Sequence, residues 1–243
     1  MAKTKKTVVS FVVPLEELLE AGAHFGHQAR RWNPKMAEYI YTIRDKVHVF
    51  DLVKTQEGLK RACEFVEALG KTGKTLLIVG TKRQAKAIVK EEALKAGAFY
   101  MSERWLGGLI TNWGEIKRRI DKLVEMRQKK EAGEYGKYTK KENLLIDREI
   151  TKIDRFLGGL VGLKDLPEAI FIVDTRKEIS VVREARAKDL PVIGMVDSNA
   201  DPVGIDYLIP VNDDAVRSVK LVVEKIAEAY AAGKAQAEKK PPV

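Results

Sequence analysis

Three short runs of unbroken apolar residues constrain this chain more than any other feature. Thr75-Leu76-Leu77-Ile78-Val79 ends at Gly80, Ala169-Ile170-Phe171-Ile172-Val173 ends at Asp174, and Pro191-Val192-Ile193-Gly194-Met195-Val196 ends at Asp197. A strand with one wet face alternates apolar and polar residues. A continuous run needs cover on both faces, as in a parallel sheet. Helical patterns fill the intervals. Leu59, Ala62, Val66 and Leu69 share one face of a helix expected over 54–69, and further helices are expected near 82–96, 178–188 and 214–232. Tyr207-Leu208-Ile209 supplies another strand before the last helix. The alternation predicts an α/β fold: a Rossmann-like parallel sheet with helices on both faces.

Residues 113–157 break that rhythm. Trp113, Ile116, Ile120 and Leu123 step by three, four and three, and Ile146, Ile150, Ile153 and Leu157 step by four, three and four. These are the spacings of coiled-coil seams. Each seam is short, so the expectation is an inserted antiparallel coiled-coil hairpin that turns within Glu131 to Lys140. Near the start of the chain, Pro14 suits a first helical turn, with Leu15, Leu18 and Leu19 on its apolar side and Gly22 as its end. Tyr39-Ile40-Tyr41-Thr42-Ile43 and Val47-His48-Val49-Phe50 flank a turn and read as a β-hairpin. The expected division is therefore an α/β unit of 8–112 plus 158–232, a hairpin insertion of 113–157, and flexible tails at 1–7 and 233–243.

Charge bears on partners. The 44 Lys plus Arg exceed 35 Asp plus Glu, giving +9 and favouring polyanions. Residues 103–157 carry 14 basic against 10 acidic residues. The single cysteine, Cys63, cannot build a disulfide framework. No apolar run approaches the length of a membrane span, and the first residues lack the apolar core of a signal peptide. The chain reads as cytoplasmic.

Several segments resemble enzyme sites and fall short of them. Ala68 to Thr75 nearly spells a phosphate-binding loop, but a helix precedes it and a strand follows it, the reverse of the order that aims helix-end amides at phosphate. Gly80-Thr81-Lys82-Arg83 stands in the right order, so Lys82 and Arg83 are candidates for an RNA phosphate; a solvated helix start is the alternative. Asp174 and Asp197 end strands on one sheet edge but have no accompanying nucleophile or base, which favours capping and turn roles. His24, His27 and His48 lack a defined third and fourth ligand, so no metal is expected, and no cofactor or small-molecule substrate either.

The remaining candidates suit RNA. Arg30, Arg31, Trp32 and Lys35 lie in an extended, Pro-restricted segment, where guanidinium forks pair with phosphate and an indole can stack on a base. Arg104, Trp105 and Asn112 repeat the theme before the insertion, and Lys117 and Arg118 continue it. For both tryptophans, core packing is the alternative.

The chain also resembles the bacterial form of the universal small-subunit ribosomal protein number two family. The segments that carry the resemblance run from Leu18 to His27, with Gly22-Ala23-His24-Phe25-Gly26-His27 at its end, then Arg31-Trp32-Asn33-Pro34-Lys35-Met36 and His48-Val49-Phe50-Asp51-Leu52. They continue through Val79-Gly80-Thr81-Lys82, Arg104-Trp105-Leu106-Gly107-Gly108, Asp197-Ser198-Asn199-Ala200-Asp201-Pro202 and Asn212-Asp213-Asp214-Ala215. The resemblance implies a Rossmann-like domain with a protruding coiled-coil hairpin, binding to small-subunit ribosomal RNA, and contact with neighbouring ribosomal proteins. The largest of these, number one, docks on this family member in many bacteria. Val211 stands where the family usually has Gly, so a reshaped turn is expected there, and the tail after Ala232 is short and basic. A nucleotide-dependent enzyme on the same fold and a free RNA-binding regulator are the competing readings.

Overall fold

The computed structural model describes residues 11–238. In chain order the elements are α1 (Leu15–Glu20), β1 (Phe25–Gln28), β2 (Ile40–Arg44), β3 (Val47–Phe50), α2 (Leu52–Lys71), β4 (Leu76–Val79), α3 (Lys86–Ala96) and β5 (Phe99–Met101). They continue with α4 (Trp113–Glu131), α5 (Lys140–Leu157), β6 (Ala169–Ile172), α6 (Ile179–Arg186), β7 (Val192–Val196), β8 (Tyr207–Pro210) and α7 (Val216–Glu238). Five strands form one sheet in the order β5-β4-β6-β7-β8, every pairing parallel.

The continuous apolar runs are explained by how alternate residues divide between two layers. Leu76, Ile78, Phe171, Ile193 and Met195 face a core shared with α2, α3 and α7. Leu77, Val79, Ile170, Ile172 and Val192 face the opposite core, with α6 and the roots of α4 and α5. Both sides of each strand are dry, so no position in the run tolerates a polar residue.

A smaller antiparallel sheet, ordered β1-β3-β2, precedes the main one. The expected β2–β3 hairpin forms with Arg44 opposite Val47. Its two linking residues, Asp45 and Lys46, have φ of 51° and 64°. Positive φ at both positions is the type I′ pattern that matches strand twist.

Three expectations need adjustment. Helix α3 starts at Lys86, not 82, because 82–85 form a turn. Residues 233–238, expected as part of a flexible tail, continue α7. Gly233 explains this: a Cβ there would lie 2.2 Å from the Glu67 carbonyl oxygen, and one on Gly70 would lie 2.6 Å from that of Tyr230. The backbones of α2 and α7 touch where only glycine fits, and the contact holds the helix past residue 232. The segment 1–7 and residues 239–243 lie outside the described residues. Val211, expected to reshape a turn, instead donates its N–H to the Val196 carbonyl at 3.1 Å and buries its side chain in the α2–α7 core.

The insertion folds as two helices. Thr139 and Glu142 form a capping box at the start of α5. Lys122 pairs with Glu149 and Lys130 with Asp147 across the two helices. The expected seams do not serve only each other, however. Ile116, Ile120 and Leu157 join the core beneath β4 and β6, so the root of the hairpin packs on the sheet.

Candidate functional site

Strand order reverses between β4 and β6, and the crevice beyond their carboxyl ends is where open α/β sheets take ligands. Here the chain fills that crevice itself. Lys82 Nζ lies 2.6 Å from Asp213 Oδ1, 2.6 Å from Asp214 Oδ1 and 3.4 Å from Asp174 Oδ2. Burial works against the Lys82 charge, but the three carboxylates outweigh it and hold the ammonium above its ordinary range. Burial, reinforced by Asp197 and Asp174, pushes the Asp213 carboxyl up to about 7. Lys177 Nζ donates to the Thr81 carbonyl at 3.1 Å, and the Thr81 hydroxyl donates to Glu178. A phosphate entering here would face Asp174, Asp213 and Asp214. The reading of Lys82 as an RNA-phosphate contact is therefore corrected: its charge neutralises this acidic cluster. Arg83 beside it is exposed.

His27 borders the same cluster. Its Nδ1 lies 2.9 Å from Asp197 Oδ1, and its Nε2 lies 3.3 Å from Asp214 Oδ2. The hydrogen bond to Asp197 raises the imidazole pKa, burial lowers it, and the charges of Asp197, Asp214 and Asp213 add to the rise, which prevails. His27, Asp197 and Asp214 offer one ligand atom each, all within 4.8 Å of one another. These are donors a divalent cation such as zinc accepts. His24 and His48 do not join them. The ring of His24 packs on Phe25, and that of His48 is buried beneath Trp32. The sequence hid this grouping because its members come from β1 and from the ends of two later strands. Asp197 and Asp213-Asp214 closing adjacent strands was the available signal.

The segment carrying Arg30, Arg31 and Trp32 is fixed from behind. The Asn33 N–H donates to the Ser198 carbonyl at 2.7 Å, and the His27 N–H donates to the Ser198 hydroxyl at 2.8 Å. Both arginines are exposed on a 3-10 turn spanning Ala29–Arg31. Arg30 Nε donates to the Gln28 side chain at 3.0 Å. The Trp32 ring stacks on His48 at 5.0 Å and 28°, and remains 38% exposed. Lys35 is exposed and pairs with Asp201 at 3.0 Å. Pinning the backbone while the cations point outward is the arrangement a phosphate-contacting loop requires.

The second candidate group divides. Trp105 is only 8% exposed, and its indole N–H donates to Glu184 Oε1 at 2.9 Å. Its burial and its engaged N–H favour the core-packing alternative over base stacking, while Arg104 beside it is exposed. Arg104 and Asn112 are exposed and line one hollow with Glu115 and Arg119. Lys117 pairs with Asp121 and Arg118 with Glu115, both on the surface of α4. Surface pairs of this kind are weak and exchange readily for phosphate.

A Rossmann-like sheet whose ligand crevice is filled by its own ion cluster, and whose exposed cations lie outside that crevice, defines an α/β protein that presents charged surface. Residues 18–233 match the model of a family described as ribosomal protein S2. The chain belongs to that family, a structural and not catalytic class of ribosomal protein. It is 48% identical over 222 residues to the small ribosomal subunit protein uS2 of Chloroflexus aurantiacus, covering 91% of this chain and 93% of the relative. It is 45% identical to that of a Picosynechococcus species and 46% identical to that of Microcystis aeruginosa, each over 223 residues and 92% of this chain, with 87% and 84% of those relatives covered.

Proposed function

We propose that this chain is a structural constituent of the small ribosomal subunit in the cytoplasm, where it binds small-subunit ribosomal RNA and neighbouring ribosomal proteins. The docking of the largest of those proteins, number one, implied by the resemblance, belongs to the same reading. The observation that carries the RNA part is the segment Arg30-Arg31-Trp32: two exposed guanidiniums and a half-exposed indole on a backbone anchored through Ser198. Arginine forks and an aromatic face on a rigid turn suit a nucleic-acid backbone with an unstacked base. Lys35, Arg83, Arg104, Asn112, Lys117 and Arg118 extend the basic surface.

The test replaces Arg30 and Arg31 together by Ala and follows the full-length protein into small subunits by sedimentation. Incorporation should fall while the melting temperature stays unchanged, because both side chains are exposed. Normal incorporation, or a large drop in melting temperature, would overturn the assignment of this segment. A wild-type chain that never sediments with the subunit would overturn the wider reading and favour a free RNA-binding regulator.

A further inference from the structure

A groove of about 610 Å³ lies at the root of the helical hairpin. Its floor is hydrocarbon, from Leu106, Ile153, Phe156 and Leu157. Its walls carry Arg119 and Lys122 on α4, and Arg148 and Lys152 on α5. One acid, Glu149, lines it and is already paired with Lys122 at 2.5 Å. Among the described residues, no carboxylate pairs with Arg119, Arg148 or Lys152. Leu157 belongs to the sheet core, and Leu106, Ile153 and Phe156 pack against it while staying only partly buried, so part of the apolar floor remains uncovered.

Beyond the groove, exposed apolar residues continue outward along α5. Leu144 and Leu145 are 50% and 54% exposed. Leu145 stands seven residues before Lys152, two helical turns, and therefore on the same side. From Leu145 to Phe156 the surface runs about 16 Å at 1.5 Å per residue, the length of three turns of an accompanying helix.

We propose that this groove seats a three-turn helical segment of a neighbouring protein whose apolar face lies on Leu145, Ile153 and Phe156 and whose flanking carboxylates meet Arg119, Arg148 and Lys152. The proposal rests on the chain standing among other proteins in a ribosomal subunit, and it names the chemistry of one such neighbour. Hydrocarbon between two helices with unpaired cations at the rim is the complement of an acidic amphipathic helix. RNA fits less well. The floor is mostly aliphatic, and its one aromatic ring, Phe156, already has the Arg155 guanidinium 5.6 Å from its centre. Bases bind by stacking on open ring faces, and none is offered here.

A zero-length carbodiimide reagent joins an ammonium to a carboxylate already in contact with it, so it reports this complementarity directly. Assembled small subunits containing the full chain would be treated with it and the linked peptides mapped by mass spectrometry. Lys122 linked to Glu149 serves as the internal control. Lys152 should be linked to an Asp or Glu in a segment of another protein with apolar residues at helical spacing. Arg119→Glu with Arg148→Glu should lower that yield roughly tenfold, the loss expected for a few rim ion pairs. Leu145→Ser, at an exposed position that leaves the fold alone, should also lower it. Incorporated protein with Lys152 unlinked, or ultraviolet cross-links from the groove to ribosomal RNA, would overturn the groove assignment alone. Absence of the chain from the subunit would overturn the reading beneath it.

Discussion

The carboxylate of Glu184 on α6 accepts the indole N–H of Trp105 at 2.9 Å, and with it the backbone N–H groups of Gly108, Ile110 and Thr111 at 2.9, 3.0 and 3.3 Å. Burial alone would raise the Glu184 pKa, but these donors hold it below its ordinary value. One side chain thereby sets the path of the loop that leads from β5 into the hairpin.

Glu184→Ala should therefore disturb more than its own position. It leaves the Trp105 indole and several loop amides without an acceptor, at about 1–3 kcal/mol for an unsatisfied buried group. We expect a loss of about 2–4 kcal/mol in urea unfolding, with tryptophan fluorescence shifted toward that of an exposed indole. Unchanged stability would mean that the loop is held by its apolar contacts.

Lys82 and Arg83, neighbours in sequence, should behave as opposites. Lys82→Met removes the cation that compensates Asp174 and Asp213 and should cost about 3–5 kcal/mol of stability, the range for breaking a buried pair from one side. Arg83→Ala should leave thermal unfolding unchanged and weaken binding to small-subunit ribosomal RNA at low salt, with a shallower salt dependence. Equal melting temperatures for the two variants would remove the structural role assigned to Lys82.

The acidic cluster predicts a pH dependence of definite sign. Asp213 titrates near 7 in the folded chain against 3.8 as its ordinary value, so the folded state holds that proton more tightly. Its contribution to stability is full below about pH 4 and is lost as pH rises toward 7, with a slope of at most about 1.4 kcal/mol per unit. His27, also raised, contributes in the same sense: present below its ordinary value of 6.5 and lost as pH rises through its folded pKa. Urea midpoints between pH 4.5 and 7.5 should fall less in Asp213→Asn than in the wild type. Parallel curves for the two proteins would contradict this.

The hairpin divides at its root. Removing only residues 122–151 and bridging with Gly should leave a folded α/β unit, because Ile116, Ile120 and Leu157 stay on the sheet. Removing all of 113–157 should expose that apolar face and cause aggregation. Ile120→Asp should destabilise the whole protein by at least about 3 kcal/mol, while Ile150→Asp, half-buried, should disturb only the hairpin. Circular dichroism with urea unfolding separates the two outcomes.

Much of the architecture was readable from residue patterns, because its strands lie between two helical layers and announce themselves as unbroken apolar runs. Strand β5 did not, since three residues are too few to establish a period. Strand β1 did not either, as Phe-Gly-His-Gln carries neither alternation nor β-branching. The exposed cluster at Arg30 to Lys35 was legible because its chemistry is contiguous. The partners of Lys82 and Trp105 were not legible for the opposite reason: Asp213 and Glu184 stand 131 and 79 residues away. No local pattern can report a partner at that separation.

The backbone contact between Gly70 and Gly233 also has a consequence in time. Helix α2 is complete once residue 71 has been made, yet the helix that covers its apolar face is the last element of the described chain. During synthesis, Leu59 and Val66 must wait about 160 residues for α7. At the usual 5–20 residues per second, that is on the order of ten to thirty seconds of exposure. A domain closed by its first long helix meeting the last described one depends on sequence-distant contacts and should fold slowly.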